Sequence, residues 1–136
     1  MKTSVIAESS KIDESVSIGH FSIIEDDVVI EEGAKIGNYT IIHSGVKISK
    51  NVKIGSYCEI DSNCLIKENV ITLGSTHKRE TIHGTIVGEN TYIGAGSKIS
   101  GGVEVGNNIT VGAMSFVNKN IADSGIYVGI PVKKIK

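Results

Sequence analysis

The side chains of this sequence best suited to proton transfer are its four histidines. Two of them, His77 and His83, lie in residues 72–86, and a third, His43, lies upstream. An imidazole has a pKa of about 6.5, so it can take up a proton as a general base at physiological pH. Three converging imidazoles can also hold a zinc ion. Both kinds of chemistry depend on how the fold positions these histidines.

The rest of the chain is organised by a repeat of six residues. An aliphatic side chain recurs at every sixth position from Ile6 to Ile66, and a small or β-branched residue follows each one four positions later. Neither a helix nor a flat strand has this spacing, but it is typical of a parallel β-helix with one large and one small inward side chain per unit. Similar triplets begin at Ser4, Ser22 and Thr40, which predicts three hexapeptides in each coil.

The repeat is interrupted once, at residues 72–86, and resumes three positions out of phase at Val87. Because Thr85-Ile86-Val87 resembles Thr40-Ile41-Ile42, we expect the chain to re-enter on the same face. The interruption then replaces one hexapeptide and adds nine residues, which must extrude as a loop. We predict a single all-β domain over residues 1–136: a parallel β-helix of about six coils, with an extruded loop around residues 72–86. A short tail, residues 122–136, folds back as an extended segment.

The repeat also makes predictions about the surface and the core. Val5, Ile23 and Ile41 should stack as an outward apolar column. Exposed apolar columns commonly mark interfaces, and a coil with three faces favours a trimer. Cys58 and Cys64 fall at the small inward position, so we expect buried packing residues rather than nucleophiles.

Composition excludes several partners. The chain has 14 basic and 15 acidic side chains and a net charge of −1, without the clustered Lys and Arg that would follow a phosphate backbone. No stretch approaches the roughly eighteen consecutive apolar residues of a membrane span. Met1-Lys2 leads directly into patterned sequence rather than into a signal segment. We expect a soluble cytoplasmic protein that binds neither nucleic acid nor membrane.

The hexapeptide pattern, the stretch VGENTYIGAGSKISGGVEVGNNITVGAMSFVNKNI and the closing GIPVKKIK resemble the hexapeptide-repeat acyltransferases. This group contains serine acetyltransferase and the galactoside and maltose O-acetyltransferases, and the resemblance covers essentially the whole chain. It implies a left-handed coil, a homotrimer, acetyl-CoA as co-substrate and active sites between neighbouring subunits. It also implies an acceptor with a hydroxyl or amino group, most commonly a sugar or nucleotide sugar for cell-surface polysaccharide.

The same resemblance implies candidates for the catalytic base. In the galactoside and maltose enzymes the base is the histidine of a Thr-His-Pro triplet that opens the bulge before the last coils, and Thr76-His77-Lys78 matches it here without the proline. Residues 72–75 and 82–84 are similar to segments of serine acetyltransferase, whose catalytic histidine lies further upstream. His43 is the nearest upstream histidine, and His83 directly precedes the re-entering strand. Which of His77, His83 and His43 is the base stays open.

The resemblance implies an acetyl-CoA site on the terminal coils. Family members run the pantetheine arm along glycine-alanine turns and a residue pair before the last strand, and the matching residues here are Ala95, Gly112, Ala113, Asn118 and Lys119. The closing Gly-x-Pro-Ala-Lys/Arg segment of the family corresponds to Gly129, Pro131 and Lys133, with Val132 in place of alanine. Lys133 and Lys136 are expected to meet the phosphates of the cofactor.

Three other functions fit parts of the pattern. A serine acetyltransferase-like enzyme matches residues 72–75, but the N-terminal helical region of that enzyme has no counterpart here. The γ-type carbonic anhydrases, which bind zinc through an upstream histidine and a His-x4-His, are superficially similar at His43, His77 and His83. The spacing here is His-x5-His, so no metal site is predicted. A non-catalytic trimeric scaffold is the third alternative, and failure to bind acetyl-CoA would favour it.

Overall fold

The computed structural model describes residues 3–74 and 83–136. These two ranges contain no helix; they form short strands joined by tight turns. The strands are β1 Val5–Ile6, β2 Lys11–Ile12, β3 Ser17–Ile18, β4 Ile23–Ile24, β5 Val29–Ile30, β6 Lys35–Ile36, β7 Ile41–Ile42, β8 Lys47–Ile48, β9 Lys53–Ile54, β10 Glu59–Ile60, β11 Leu65–Ile66, β12 Ile71–Thr72, β13 Ile86–Val87, β14 Tyr92–Ile93, β15 Lys98–Ile99, β16 Glu104–Val105, β17 Ile109–Val111, β18 Phe116–Val117, β19 Gly125–Gly129 and β20 Val132–Lys134.

Successive strands belong to three sheets in rotation, which is the architecture of a parallel β-helix. Sheet A has the order β1-β4-β7-β10-β13-β16, sheet B the order β2-β5-β8-β11-β14-β17-β19-β20, and sheet C the order β3-β6-β9-β12-β15-β18. Every pair among β1 to β18 is parallel, and three strands make one coil, so these strands complete six coils. The predicted number of coils is confirmed, and the left-handed sense is the one that the resemblance implies.

The register confirms the predicted length of a coil and of the insertion. Val5 pairs with Ile23 and Ile23 with Ile41, so each coil is 18 residues long. Glu59 pairs with Ile86, a separation of 27 residues, which is one coil plus nine. Thr72 itself still lies in β12 and is buried, so the chain leaves the regular coil only after this residue.

The core is a set of stacked aliphatic ladders, one behind each sheet. The inward isoleucines of sheet B, from Ile30 to Ile93, are at most 1% exposed. The small inward position is often a hydroxyl that bonds to the chain 15 residues further on: Thr40 Oγ1 donates to Gly55 O at 2.7 Å, and Ser97 Oγ donates to Gly112 O at 2.9 Å. Small inward polar residues therefore tie one coil to the next without leaving a buried group unsatisfied.

The three corners of the coil differ in the residue that takes the left-handed backbone conformation. The corner joining sheets A and B, here the AB corner, has Asp27, Gly45, Asn63, Asn90 and Asn108 at this position. The corner joining sheets B and C, the BC corner, has Gly33, Asn51, Asn69, Gly96 and Met114. The corner joining sheets C and A, the CA corner, has Phe21, Tyr39, Tyr57 and Gly102. Asn, Asp and Gly tolerate a positive φ, whereas bulky side chains rarely adopt it.

The C-terminal tail folds back on the last coil, as predicted. β19 extends sheet B by pairing in parallel with β17, and β20 then turns back antiparallel to β19. The turn between them contains a cis peptide bond at Ile130-Pro131. The hydroxyl of Tyr127 donates to Asp123 O at 2.8 Å and fixes the start of the segment.

No helix in the described ranges is long and apolar enough to cross a membrane.

Candidate functional site

The insertion leaves and re-enters the coil at the CA corner. Gly84 N donates to Tyr57 O at 2.8 Å, and Thr85 N donates to Leu73 O at 3.1 Å, so the two ends of the insertion are tied to the preceding coil and to each other. A Cβ on Gly84 would lie 2.6 Å from Ser56 O, which explains why this position is a glycine. The predicted base His77 lies outside the described residues, at the centre of this insertion.

His83 is held at the return of the insertion by a hydrogen bond of its ring to the backbone. Its Nδ1 lies 2.7 Å from Gly84 O, and because a carbonyl oxygen only accepts, this nitrogen carries the proton. The neutral ring then has its free lone pair on Nε2. Nε2 lies 3.6 Å from Glu104 Oε1, a carboxylate that would stabilise the imidazolium formed after proton transfer. The His83 side chain is 32% exposed and so remains accessible to a substrate.

His43 has a different environment on the same sheet. Its Nδ1 lies 2.7 Å from Glu25 Oε1 and its Nε2 lies 2.6 Å from Glu59 Oε2. Partial burial alone would lower the pKa of His43, but the hydrogen bonds and charges of Glu59 and Glu25 outweigh it and raise the pKa above 6.5. Both ring nitrogens thus donate to carboxylates. This arrangement stabilises the protonated imidazolium, whereas a general base must be neutral.

The turns matched to the acetyl-CoA site stack at the BC corner. Ala95 and Ala113 are one coil apart, and Met114 N donates to Ala95 O at 2.8 Å. The tail continues this stack, because Gly112 N donates to Tyr127 O at 2.9 Å and Gly129 N donates to Ser115 Oγ at 3.1 Å. The structure therefore brings Ala95, Gly112, Ala113, Gly129 and Pro131 to one end of one corner.

The remaining matched residues lie elsewhere. Asn118 and Lys119 follow β18, so they sit at the CA corner, on the far side of sheet C from Ala113. Lys133 pairs with Val128 beside the BC corner, whereas Lys136 accepts from Ile126 N near the start of β19. The residues that the family resemblance assigned to one acetyl-CoA site therefore do not lie together. The fold distributes them over two corners of the coil and over both ends of the terminal hairpin.

An apolar cavity of about 250 Å³ at the BC corner was not predicted from the sequence. It is lined by Met114, Phe116 and Ile130 together with Gly96, Lys98 and Ser115. Met114 is 66% exposed and Ile130 is 76% exposed, which is unusual for large apolar side chains. A methionine in left-handed conformation, at a place where the other turns of this corner have Asn or Gly, was the signal that could have indicated this site.

The two cysteines lie in the core, as predicted. Cys58 is 2% exposed and Cys64 is 1% exposed. Burial raises the pKa of both thiols, that of Cys64 to about 11, so neither forms a thiolate readily at neutral pH. Each thiol donates to a carbonyl of the next coil instead, Cys58 to Leu73 O at 3.4 Å and Cys64 to Gly88 O at 2.8 Å.

No group of three metal-ligating side chains occurs within residues 3–74 and 83–136. Both ring nitrogens of His43 are hydrogen-bonded to Glu25 and Glu59, so neither is available to a metal ion in this arrangement. The described side chains thus give no support to a zinc site of the carbonic anhydrase kind.

Comparison with known proteins agrees with the fold and the repeat. Serine acetyltransferase of Buchnera aphidicola subsp. Schizaphis graminum is 46% identical over 68 residues, an alignment that covers 48% of this chain and 26% of that enzyme. A second serine acetyltransferase, from Synechococcus elongatus, is 34% identical over 65 residues and is covered to 27%. The chain thus matches less than a third of the length of these relatives.

Solved structures match over nearly the whole chain. AntD, an N-acyltransferase from Bacillus cereus in complex with dTDP and 3-hydroxybutyryl-CoA, has a TM-score of 0.63 and 25% identity, and the match covers 99% of this chain and 80% of AntD. PerB from Caulobacter crescentus, in complex with CoA and GDP-perosamine, has a TM-score of 0.52 and 24% identity, with 99% of this chain and 58% of PerB covered. The likeness to PerB concerns the fold alone.

A sequence profile of one family covers well over half of the chain. Residues 36–136 match the family described as the GMPPB C-terminal domain, and this range includes His43, the insertion, the BC corner cavity and the terminal hairpin. The chain therefore belongs to the GMPPB C-terminal domain family.

Proposed function

We propose that this domain transfers an acetyl group from acetyl-CoA to a sugar or nucleotide sugar, with His83 as the general base. The observation that carries the proposal is the pair of contacts made by the His83 ring. Its Nδ1 is hydrogen-bonded to Gly84 O, and its Nε2 lies 3.6 Å from the carboxylate of Glu104.

The chemistry of acetyl transfer requires such a base. The acceptor hydroxyl or amine must lose a proton as it attacks the thioester carbonyl, and a positioned imidazole typically contributes about 10²–10⁴-fold to this step. His83 is better suited than His43. Both ring nitrogens of His43 donate hydrogen bonds to Glu25 and Glu59, so His43 has no free lone pair with which to accept a proton. His77 stays an alternative base from the same insertion.

The acetyl-CoA site that we propose is the BC corner. The cavity lined by Met114, Phe116 and Ile130 offers apolar contact to the pantetheine arm, and the turns at Ala95 and Ala113 present backbone at its edge. We assign the phosphate contact to Lys133, an exposed residue on β20 beside this corner.

The proposed base and the proposed cofactor site lie at different corners of the coil. His83 contacts Glu104 on sheet A, whereas the cavity at Met114 lies between sheets B and C. We therefore propose that the active site is completed between two copies of the chain, in a homotrimer. An apolar surface supports this assembly: it comprises the exposed Val5 and Ile23 of sheet A, the half-buried Ile41 that pairs with Ile23, and the neighbouring exposed rings of Phe21, Tyr39 and Tyr57.

The relatives support the reaction class. The serine acetyltransferases and AntD are named as acyltransferases, and AntD is described with an acyl-CoA and a nucleotide. A cytoplasmic location is consistent with acetyl-CoA as the donor. Serine acetylation is a second candidate, favoured by the 46% identity over 68 residues to a serine acetyltransferase.

The test is a panel of acceptors with purified protein and acetyl-CoA, read as release of the CoA thiol. The panel contains sugars, amino sugars, nucleotide sugars and serine. His83→Asn is expected to lower kcat by about 10²–10⁴-fold while the Kd of acetyl-CoA is unchanged. His20→Asn, which removes an imidazole bonded to the Thr3 hydroxyl, is the matched control and should retain full activity.

The outcomes separate the parts of the proposal. Loss of activity in His77→Asn with full activity in His83→Asn would move the base to His77 and leave acetyl transfer intact. Binding of acetyl-CoA away from the BC corner would refute the proposed cofactor site, whereas failure of the protein to bind acetyl-CoA at all would contradict the reaction itself and favour a non-catalytic scaffold. For the assembly, Ile23→Asp should convert the trimer to monomers in sedimentation, and an unchanged mass would refute the interface.

A further inference from the structure

A groove of about 540 Å³ crosses sheet A at its C-terminal end, apart from the BC corner, and one of its lining residues, Glu104, contacts His83. Two of its lining residues are glycines at positions that cannot carry a larger side chain. A Cβ on Gly88 would lie 2.6 Å from the carbonyl carbon of Gly106, and a Cβ on Gly106 would lie 2.6 Å from Ala122 O. Glycines at these two positions, stacked in successive coils, leave the groove open.

The walls of the groove contain two side chains that accept hydrogen bonds and two that can donate them. Asp61 and Glu104 contribute carboxylates. Asn107 and Asn120 contribute amides, and each amide has its oxygen occupied by a backbone N–H, of Glu89 at 2.9 Å and of Glu104 at 2.8 Å respectively. Their NH₂ groups are consequently the parts left to donate to a ligand.

The groove is also connected to the proposed base. Glu104 lines the groove, and its Oε1 is 3.6 Å from His83 Nε2. A group bound to this carboxylate is therefore within reach of the imidazole as well. One oxygen of Asp61 accepts from Ser62 N at 2.7 Å, which orients this carboxylate and leaves its second oxygen available.

We propose that this groove is the acceptor subsite and that it selects an amino sugar, with Asp61 and Glu104 binding the ammonium group and Asn107 and Asn120 binding ring hydroxyls. The inference rests on the proposed function and names the acceptor class for it. Two carboxylates favour a cation over a neutral hydroxyl, because each charge-assisted hydrogen bond is stronger than a neutral one. Amide donors beside them match the oxygen atoms of a sugar ring.

The reaction at this subsite balances as follows. The ammonium group loses one proton to solvent before attack, and the neutral amine then attacks the thioester carbonyl. A C–N bond forms, the C–S bond breaks, and the second proton passes through His83 to the leaving thiolate. The products are the N-acetyl sugar, CoA thiol and one released proton.

The test uses three amino sugars, glucosamine, galactosamine and mannosamine, each against its parent sugar, which differs only in having a hydroxyl group. Binding is followed in two-dimensional NMR spectra through the side-chain NH₂ signals of Asn107 and Asn120 and the backbone amides of Gly88 and Gly106. At least one amino sugar is expected to shift these signals with a Kd about tenfold or more below that of its parent.

Two isosteric variants, Asp61→Asn and Glu104→Gln, should each raise the Kd of that amino sugar about tenfold and leave the Kd of its parent sugar nearly unchanged. Glu32→Gln, which removes a carboxylate paired with Lys50 on another coil, is the matched control and should change neither. The Kd of acetyl-CoA should be the same in all four proteins, since its proposed site is the BC corner.

The outcomes that would overturn the inference are distinct from those that test acetyl transfer. Equal affinity for amino and parent sugars, shifts confined to residues outside the groove, or no binding of any sugar at millimolar concentration would each refute it. These measurements need no turnover. Binding of amino sugars in the groove of a protein that releases no CoA thiol would therefore contradict the proposed reaction while confirming that the groove selects amino sugars.

Discussion

Replacing His43 with glutamine should destabilise the protein in mildly acidic solution and have little effect in alkaline solution. In the folded protein this imidazole lies between Glu25 and Glu59, which raise its pKa above the ordinary value of 6.5. A group whose pKa is raised on folding stabilises the folded state fully below its unfolded pKa, and this stabilisation is lost as the pH rises through the folded pKa. The contribution of His43 is therefore complete below about pH 6.5 and disappears above the higher value.

The size of the stabilisation by His43 depends on how exposed the three side chains are to solvent. The side chain of His43 is 25% exposed and those of Glu25 and Glu59 are 40% and 42% exposed, so solvent screens both pairs. Exposed ion pairs of this kind contribute about 0.2–1 kcal/mol each, and two of them should contribute about 1 kcal/mol together. Once the imidazole is neutral it can donate from only one nitrogen, so one of the two carboxylates then faces a lone pair and its contact must open.

The assay is denaturant unfolding of the wild type and His43→Gln at several pH values from 5.5 upward, at fixed protein concentration because assembly would also contribute. The difference in the free energy of unfolding should be about 1 kcal/mol at the acidic end and close to zero at alkaline pH. His20→Gln controls for loss of a surface imidazole, and NMR titration of the His43 ring measures its pKa directly. A pKa below 6.5, or a difference independent of pH, would refute the reasoning.

Three further predictions concern the coil. Gly55→Ala should destabilise the protein by about 1–3 kcal/mol, because the new Cβ would clash with Gly74 N at the start of the insertion; an unchanged thermal midpoint would contradict this close approach. Ile60→Ala, at a position with no solvent exposure, should cost about 2–5 kcal/mol in denaturant unfolding, whereas the outward Lys35→Ala should stay within about 0.5 kcal/mol. Cys64 should resist thiol reagents at neutral pH in the folded protein and react after unfolding, since burial raises its pKa to about 11; rapid labelling of the native protein would show that the thiol is accessible.

The sequence was sufficient to predict the coil because each hexapeptide encodes its own strand and turn. The large inward residue, the small inward residue and the turn all lie within six positions, so no distant contact is needed to identify them. The length of the insertion could be predicted from the same repeat. The positions of Ile86 and Val87 relative to the six-residue period show how many residues were added. The pairing of Glu59 with Ile86 confirms it.

The candidate site was less predictable because its contacts join residues that do not occupy equivalent positions of the repeat. Glu25 and His43 are 18 residues apart, so their contact follows from the period, but Glu59 reaches His43 from the adjoining strand position. The approach of His83 to Glu104 depends on how the insertion returns, and no repeat governs that path. The cavity beside Met114 depends on Ile130, which the tail brings back to the coil from outside the repeat.

The aromatic residues at the CA corner bear on the proposed trimer. Phe21, Tyr39 and Tyr57 all have a φ between 54° and 60°, and a left-handed conformation costs a residue with a side chain roughly 1–2 kcal/mol. Their rings stack with centroids 5.3 and 5.1 Å apart, and each stacked pair returns about 0.5–1.5 kcal/mol. Two pairs do not fully offset three strained residues, and the rings remain about half exposed in the single chain. Contact with a second copy of the chain would bury these rings beside the Ile23 column. The free energy of this burial would offset the remaining cost of the three left-handed residues. This is a physical reason to place the interface of the proposed trimer next to the CA corner, where the described ends of the insertion and His83 lie.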